Sequence, residues 1–311
     1  MKVILKILLV AIMFFLGACL SQPDPNDGPW VTNLYTCKLN GFNCQIATSS
    51  YNQNYFTNAR FTIDGTKVTD GIKYASLNGF DYGTFMPEEY RIHSSCFKSD
   101  GSLYYCIAEK NNLCSVIELT LSNNGIKTII DSVCSTFINI SKDDNYLTVS
   151  NEHKISIVNI QDKSIIKELD VLNFGKPVFS QFGDKIYFKD YVDSTIKSID
   201  LASSEITILA PHGEIKNYNS DRNRFVYKYN GRCEMMEIIG NDFTYTTLSS
   251  MQIESNTVSI SSIGDTVLYT CNEGIILHEI NSSGESLLRK NGSSAVISPD
   301  GSRYLYYKYE Q

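Results

Sequence analysis

The chain alternates short apolar runs with polar turns over most of its length, and this pattern predicts strands. Residues 154–160 read Lys-Ile-Ser-Ile-Val-Asn-Ile and lead through a polar turn into a second apolar run at residues 165–169. Residues 195–209 and 275–284 repeat the same arrangement. Alternation with a period of two is typical of half-buried strands, and no segment keeps a sustained helical spacing. The sequence therefore predicts an all-β protein.

A turn containing Ser or Thr, Asp and Gly recurs between the apolar runs at intervals of about 40 residues. The clearest copy is Ser298-Pro299-Asp300-Gly301, where Pro and Gly favour a tight turn and Asp can bond to its own backbone. The anchors of the seven aligned copies are Thr62, Ser99, Ser141, Ser180, Ser220, Ser261 and Ser298. Four short strands per unit at this spacing are typical of a β-propeller blade.

The two ends of the chain predict how the ring closes. The last copy stops at Gln311 after only two strands, and residues 31–47 contain the two strands that it lacks. Pairing them would remove two exposed sheet edges. We therefore predict a single β-propeller over residues 31–311, with seven blades of four antiparallel strands. Six blades are the alternative if residues 48–90 do not complete a blade.

The segment Ser298-Pro299-Asp300-Gly301 and its degenerate relatives resemble the TolB-like repeat of bacterial envelope proteins, a WD-repeat-like propeller unit. The resemblance spans about residues 31–311, but only this copy has the full motif. The chain also has no room for the separate N-terminal domain of TolB. The resemblance therefore implies a scaffold and does not carry over a partnership with a Tol–Pal system, because a fold does not fix a function.

The first residues predict export and a lipid anchor. Lys2 and Lys6 precede a short apolar run that ends in Leu16-Gly17-Ala18-Cys19. A charged start, a run shorter than the roughly 20 residues of a membrane span and small residues at its end are typical of a signal peptide. The last four residues resemble the bacterial lipobox, which implies cleavage before Cys19 and acylation of its thiol. Leu20 then favours the outer over the inner membrane.

The predicted organisation is thus a signal peptide at residues 1–18, a lipidated tether at 19–30 and a propeller at 31–311. The chain carries a net charge of −7 and has no run of Lys or Arg. Nucleic acid is therefore not expected as a partner, and attachment to the membrane is expected through the lipid.

Eight cysteines besides Cys19 permit disulfides in an exported chain. We expect the pairs Cys37–Cys44 and Cys106–Cys114 because each brackets a predicted turn. Cys233 and Cys271 form a third candidate pair, and Cys96 and Cys134 remain. Buried free thiols are the alternative. No CxxC pair or zinc-type spacing is present, so we predict neither a metal nor a cofactor.

The motifs for chemistry are few. No Gly-x-Ser-x-Gly, phosphate loop or HExxH occurs, so no catalytic residue is predicted. His93 and His212 are expected in the connections between blades and His153 in a turn on the same face. We predict a membrane-anchored envelope scaffold that binds a protein, a cell-wall glycan or another ligand. The alternative is a propeller enzyme of the lyase or glycosidase type that acts on an extracellular or periplasmic polymer.

Overall fold

The computed structural model describes residues 31–39, 44–49, 59–70, 72–77, 82–87, 89–133, 135–151, 153–172, 174–210, 212–240, 242–282 and 284–310. Within these residues the regular structure is entirely β, and no helix there could cross a membrane. Lipidation at Cys19, the signal peptide and the tether fall outside the described residues and stay predictions.

The described residues form twenty-eight strands. The strands are β1 (Val31–Lys38), β2 (Gln45–Ser49), β3 (Arg60–Phe61), β4 (Lys67–Thr69), β5 (Lys73–Ser76), β6 (Tyr82–Thr84), β7 (Arg91–Phe97), β8 (Leu103–Lys110), β9 (Leu113–Thr120), β10 (Gly125–Ile130), β11 (Phe137–Ile140), β12 (Tyr146–Ser150), β13 (Lys154–Asn159), β14 (Ile165–Asp170), β15 (Val178–Phe179), β16 (Lys185–Lys189), β17 (Ile196–Asp200), β18 (Ile206–Ala210), β19 (Glu214–Tyr218), β20 (Arg224–Tyr229), β21 (Arg232–Ile239), β22 (Asp242–Thr247), β23 (Ile253–Ile260), β24 (Thr266–Cys271), β25 (Gly274–Glu279), β26 (Glu285–Arg289), β27 (Gly292–Ile297) and β28 (Arg303–Glu310).

These strands form seven antiparallel sheets of four, which are the blades of a propeller. Blades 1 to 6 are consecutive quartets that begin at β3, β7, β11, β15, β19 and β23. Blade 7 has the order β27, β28, β1, β2. The first strands contact one another between blades 2 and 3, 3 and 4, 5 and 6, and 6 and 7, as expected for strands that surround a central channel. The prediction of seven blades is confirmed, because β3 to β6 complete a blade where the six-bladed alternative expected none.

The ring closes through pairing of the two ends of the chain, as the sequence predicts. β1 pairs with β28 over eight residue pairs, from Val31 opposite Glu310 to Lys38 opposite Arg303. The Ala59 N–H donates to the buried Tyr307 hydroxyl at 2.8 Å, which ties blade 7 to the start of blade 1. The closure therefore leaves neither terminal sheet edge of the ring unpaired.

The core lies between the blades, where each sheet packs a face against its neighbour. Tyr187 of blade 4 meets Phe225 of blade 5 edge to face, with ring centroids 5.1 Å apart. Strand β24, the second strand of blade 6, is buried along its whole length. Strand β22, the outermost strand of blade 5, is mostly exposed. The tyrosines that follow the repeated turns, including Tyr105 and Tyr269, are buried as blade-core residues.

The repeated turn between the first and second strand of each blade has one common geometry. The anchor residue donates its N–H to the carbonyl five residues later and accepts the N–H of the residue three positions on. The residue at that third position has a positive φ in all seven turns, and in five of them it is glycine. In blades 3 and 5 the position is held by Asp144 (φ 60°) and Arg222 (φ 54°). Glycine suits this position because other residues are strained there.

Two of the predicted anchors are wrong by one residue. In blade 2 the backbone bonds of the anchor belong to Lys98, and in blade 5 they belong to Asn219. Asn219 Oδ1 accepts the N–H of Arg224 at 3.0 Å, the role that a Ser or Thr hydroxyl has in other blades. Ser99 and Ser220 instead reach the next blade in the ring, since Ser99 bonds to Asp144 and Ser220 to the Ser262 carbonyl. The alignment on Ser or Thr thus followed the residue type and missed the backbone register.

Candidate functional site

The antiparallel order of each blade sorts its connections onto two faces. The repeated turns after the first strands lie on one face, which we term the Asp-turn face. The starts of the first strands and the turns between the second and third strands lie on the other, which we term the mouth face. The distinction matters because the repeated turns and the pocket described next lie on opposite faces.

A polar pocket of about 430 Å³ opens on the mouth face. Its lining comes from blade 1, from the start of β7 in blade 2 and from the connection into blade 4. Because blade 3 separates blades 2 and 4, one pocket can join these segments only across the central channel. The residues that line it are Arg60, Asp70, Ile72, Arg91, Ile92, His93, Ser94, Ser95 and Lys176.

Three cations of this pocket, Arg60, Arg91 and Lys176, have no carboxylate within ion-pair distance in the described part of the chain. The acid in the lining, Asp70, is engaged by the backbone. Its Oδ1 accepts the N–H groups of Ile72 at 3.0 Å and of the following residue, Lys73, at 2.9 Å. The mouth is therefore a cationic site on an acidic chain.

Arg60 is held in place by contacts with blade 2. Its Nη2 donates to the Ser95 hydroxyl and to the Tyr104 hydroxyl, the latter at 2.7 Å. The guanidinium carbon also lies 5.2 Å from the ring centre of Phe97 and 5.4 Å from that of Tyr104. The Nε of Arg60 is buried and has no hydrogen-bond partner among the described residues. The side chain is thus fixed, and its Nε–H is left without an acceptor among the described residues.

At the Asp-turn end, contacts between blades 3 and 5 cross the channel. The Asn139 side-chain amide donates to the Tyr218 hydroxyl at 2.8 Å, and Arg222 Nη2 donates to the Ile140 carbonyl. An ion pair of 2.7 Å also joins Lys142 of blade 3 to Asp221 of blade 5. Blade 4 lies between these blades in the ring, and its first strand is only two residues long. These contacts cross the channel at its Asp-turn end, so the pocket opens towards the mouth face.

Cys96, in β7, packs against the hydrophobic core between blades 2 and 3. Burial raises the pKa of its thiol to about 11, although the positive charges of Lys176, Arg60 and Arg222 oppose the rise. The thiol therefore stays protonated at neutral pH.

Beside the pocket, three groups that could hold a metal ion come together. Nε2 of His93 lies 2.8 Å from Oε2 of Glu109, and the ligand atoms of His93, Glu109 and Cys114 all lie within 4.8 Å of one another. Nitrogen, oxygen and sulfur donors of this kind suit Zn²⁺. The spacing of these residues in the sequence does not predict the group, because a strand bulge at residues 92–94 and a hairpin bring the three residues together.

The three predicted histidines do lie on the mouth side, but no contact among the described residues joins them. The sequence predicts His93 in the connection before β7, but the residue lies within β7 itself. His212 precedes β19 and stacks on Tyr229 with ring centres 6.0 Å apart. His153 lies in the turn between β12 and β13. Of the three, only His93 lines the pocket.

The disulfide predictions have mixed outcomes. Cys37 and Cys44 form a disulfide between the third and fourth strands of blade 7, as predicted. The predicted Cys106–Cys114 bond is wrong, because the hairpin register places Ile117 opposite Cys106, which is a buried free thiol. The pair Cys233–Cys271 is also wrong, since both are free thiols in one hydrophobic cluster. Cys96 is a free thiol as well. Its proposed partner, Cys134, lies outside the described residues.

Comparison with known proteins supports the fold. No protein-family model matches the chain, and no curated protein matches its sequence. An oligogalacturonate lyase from Vibrio parahaemolyticus has a similar structure, with TM-score 0.62, 12% identity and coverage of 81% of this chain and 89% of that one.

Two further solved structures are similar. TolB from Acinetobacter baumannii gives TM-score 0.53 and 13% identity over 91% of this chain and 64% of that one. The β-propeller domain of Cps50 (Swd1) from Myceliophteria thermophila gives 0.58 and 11% over 81% and 96%. At these identities the likeness shows the fold alone: the chain is a β-propeller similar to TolB-like and WD-type rings.

Proposed function

We propose that the chain is a lipid-anchored protein of the bacterial envelope whose propeller binds a partner at the mouth of its central channel. The observation that carries the binding role is the polar mouth pocket, whose three cations have no acidic partner among the described residues. A pocket of this volume falls in the range of ligand-binding clefts. The anchor rests on the lipobox at residues 16–19, and Leu20 favours the outer membrane.

The anchor and the binding role are tested separately. A fatty-acid probe should label the wild-type chain in bacteria and fail to label Cys19→Ser. For the binding role, cross-linked envelopes are passed over wild type, over Arg91→Glu/Lys176→Glu and over Lys38→Glu/Lys127→Glu. The last double variant reverses the same charge at two exposed sites away from the mouth. Loss of captured partners with the mouth variant alone supports the proposal, and equal capture by all three proteins contradicts it.

A second function has one specific observation in its favour. The hydrogen-bonded pair His93 and Glu109 beside the pocket is the kind of pair that can act as a general base. Solved neighbours of the chain include oligogalacturonate lyases. A lyase acting on an acidic polymer would give an unsaturated product with ultraviolet absorbance. Absorbance that rises with wild type and not with His93→Ala would favour the enzyme.

A further inference from the structure

The mouth pocket brings together three cations, Arg60, Arg91 and Lys176, that make no ion pair in the described part of the chain. Other cations of the same face, such as Lys110 and Lys154, lie within 3.1 Å of a carboxylate oxygen. Acidic residues outnumber basic ones, 34 to 27, so an unpaired group of cations is not what composition alone would give. Several like charges at the walled opening of a channel also focus the field and attract ions of opposite sign.

Arg60 carries an unmet requirement for an acceptor. Its Nη2 is satisfied by Ser95 and Tyr104, but its Nε is buried without a partner among the described residues. A buried donor without a partner destabilises the protein, and more so when the group is charged. The Nη1 atom donates to the Ser95 carbonyl at 3.4 Å and carries a second N–H, which can donate to a ligand oxygen that enters the pocket. The contacts with Phe97 and Tyr104 hold the side chain in place, so little order would be lost on binding.

A second cation at the channel has the same property. Arg222 is only 6% exposed, and its Nη1 is buried with no partner among the described residues. The ring of Tyr218 lies 5.5 Å from its guanidinium carbon, and no carboxylate pairs with it in the described part of the chain. It stands at the positive-φ position where five other blades have glycine. Arg222 is therefore buried, has a positive φ and lacks an acidic partner among the described residues. Its charge adds positive potential at the end of the channel opposite the mouth.

From these contacts we propose that the mouth pocket binds the anionic group, a carboxylate or a phosphate, of a small polar ligand. This deepens the proposed binding function and rests on it. Arg60 would bind the anionic group directly, with Arg91 and Lys176 neutralising its charge from the pocket wall. Ligand hydroxyls can donate hydrogen bonds to Asp70, and they can donate to or accept from the hydroxyls of Ser94 and Ser95. The volume accommodates a ligand of about one sugar unit, far more than a lone phosphate needs.

The test uses ligands that differ only in the anionic group. The full mature chain is titrated calorimetrically at low salt with galacturonate, with galactose and with inorganic phosphate. We expect at least one of the two anions to bind, and galactose to bind at least tenfold more weakly than the better anion. A stronger response to galacturonate identifies a carboxylate as the group recognised, and a stronger response to phosphate identifies a phosphate. Binding of neither anion, or galactose binding as tightly as the better anion, overturns the proposal.

Variants place the binding at the mouth. Arg60→Gln should weaken binding of the preferred anion at least tenfold, and Arg91→Gln/Lys176→Gln should weaken it severalfold. The exposed double variant keeps the test valid if Arg60→Gln does not fold. Lys38→Gln/Lys127→Gln is the matched control and should bind like wild type. An affinity unchanged in the mouth variants would overturn the assignment.

The result is distinguishable from failure of the proposed function. If the mouth variants lose envelope partners but no small anion binds, the binding role stands and the anion inference falls. If the mouth variants keep both partners and anion binding, neither assignment to the mouth survives.

Discussion

The Asp-turn face and the mouth pocket both contain charged residues, but these residues are bonded differently. On the Asp-turn face, the aspartates of the repeated turns accept hydrogen bonds within their own turns. In blade 3, Ser141 Oγ donates to Asp143 at 2.6 Å and accepts the N–H of Tyr146 at 2.9 Å. On the mouth face, Arg60, Arg91 and Lys176 are left without acidic partners among the described residues. The comparison indicates that the repeated turns serve the structure, whereas the pocket proposed to bind a ligand is built from residues that do not repeat.

Contacts between neighbouring turns reinforce the structural role of the Asp-turn face. The N–H of Ser99 donates to Asp144 of the next blade at 3.0 Å, and Arg224 Nη1 donates to the Gly264 carbonyl at 2.7 Å. Such bonds satisfy the turns without a ligand. The predictions below test first what holds the ring together, then the turns, and last the mouth.

The largest effect is expected from breaking the closure. Deletion of residues 295–311 removes β28 and leaves β1 and β2 without the strand that pairs with β1 over eight positions. Two exposed edges invite aggregation, so soluble expression should be lost. Deletion of residues 20–28 is the control and should leave the melting transition almost unchanged. A truncated protein that stays monomeric and melts like wild type would show that the ring closes in another way.

The Cys37–Cys44 disulfide should contribute the next largest amount. Replacing both residues by alanine should lower the free energy of unfolding by about 2–3 kcal/mol, because the bond closes a short loop in the unfolded chain. Urea denaturation with and without reductant measures this. Reductant should destabilise wild type and leave the double variant unaffected, and equal sensitivity of the two proteins would contradict the assignment.

Each anchor residue of the Asp-turn face should contribute less to the free energy of unfolding than the disulfide. Ser141→Ala removes a buried hydroxyl that both donates to Asp143 and accepts from Tyr146. The expected loss is about 1–2 kcal/mol of unfolding free energy. Ser203→Ala, in an exposed turn on the outer part of blade 4, is the comparison and should cost clearly less. Because the anchor lies far from the mouth, anion affinity should stay the same in both variants.

The acids of these turns should give a smaller, pH-dependent effect. Burial raises the pKa of Asp143, but hydrogen bonds from Ser141 and Asn145 outweigh it and keep the pKa below its usual value. Asp300 behaves alike, with bonds from Ser298 and Ser302. A carboxyl whose pKa is lowered by folding stabilises the fold above its unfolded pKa, about 3.9, and loses that contribution as the pH falls further.

The urea concentration at the midpoint of unfolding should therefore decrease as the pH is lowered from 6 to 3. The decrease should be smaller for Asp143→Asn than for wild type. Glu273→Gln, at an exposed acid outside these turns, should keep the wild-type slope. A midpoint independent of pH over this range would contradict the role assigned to the turn acids.

The sequence predicts the ring well because its evidence is local. Alternation, the turn motif and the spacing of the copies each occupy a few neighbouring residues, and the incomplete last blade points to the closure. The Cys37–Cys44 pair was predictable because its residues bracket one hairpin. Cys106 was assigned wrongly because a two-residue turn at Asn111 and Asn112 fixes a register that pairs Cys114 with Glu109. Counting residues to the turn would have shown this.

The mouth could not be predicted in the same way. Arg60, Arg91 and Lys176 are far apart in the sequence, and only the circular arrangement of the blades brings them together. One signal was available: Arg60 and Arg91 each begin the first strand of a blade, and Lys176 lies two residues before another. Aligning these strand starts, and not only the turns, would have placed the three cations around one opening.

The division of labour between the faces is tested most directly by locating a bound anion. A crystal of the propeller soaked in selenate and measured at the selenium absorption edge reveals the anion by its anomalous signal. We predict the strongest peak in the mouth pocket, within about 3 Å of a guanidinium nitrogen of Arg60 and close to Lys176. Peaks confined to the Asp-turn face, or a mouth pocket without one, would contradict the assignment of binding to the mouth.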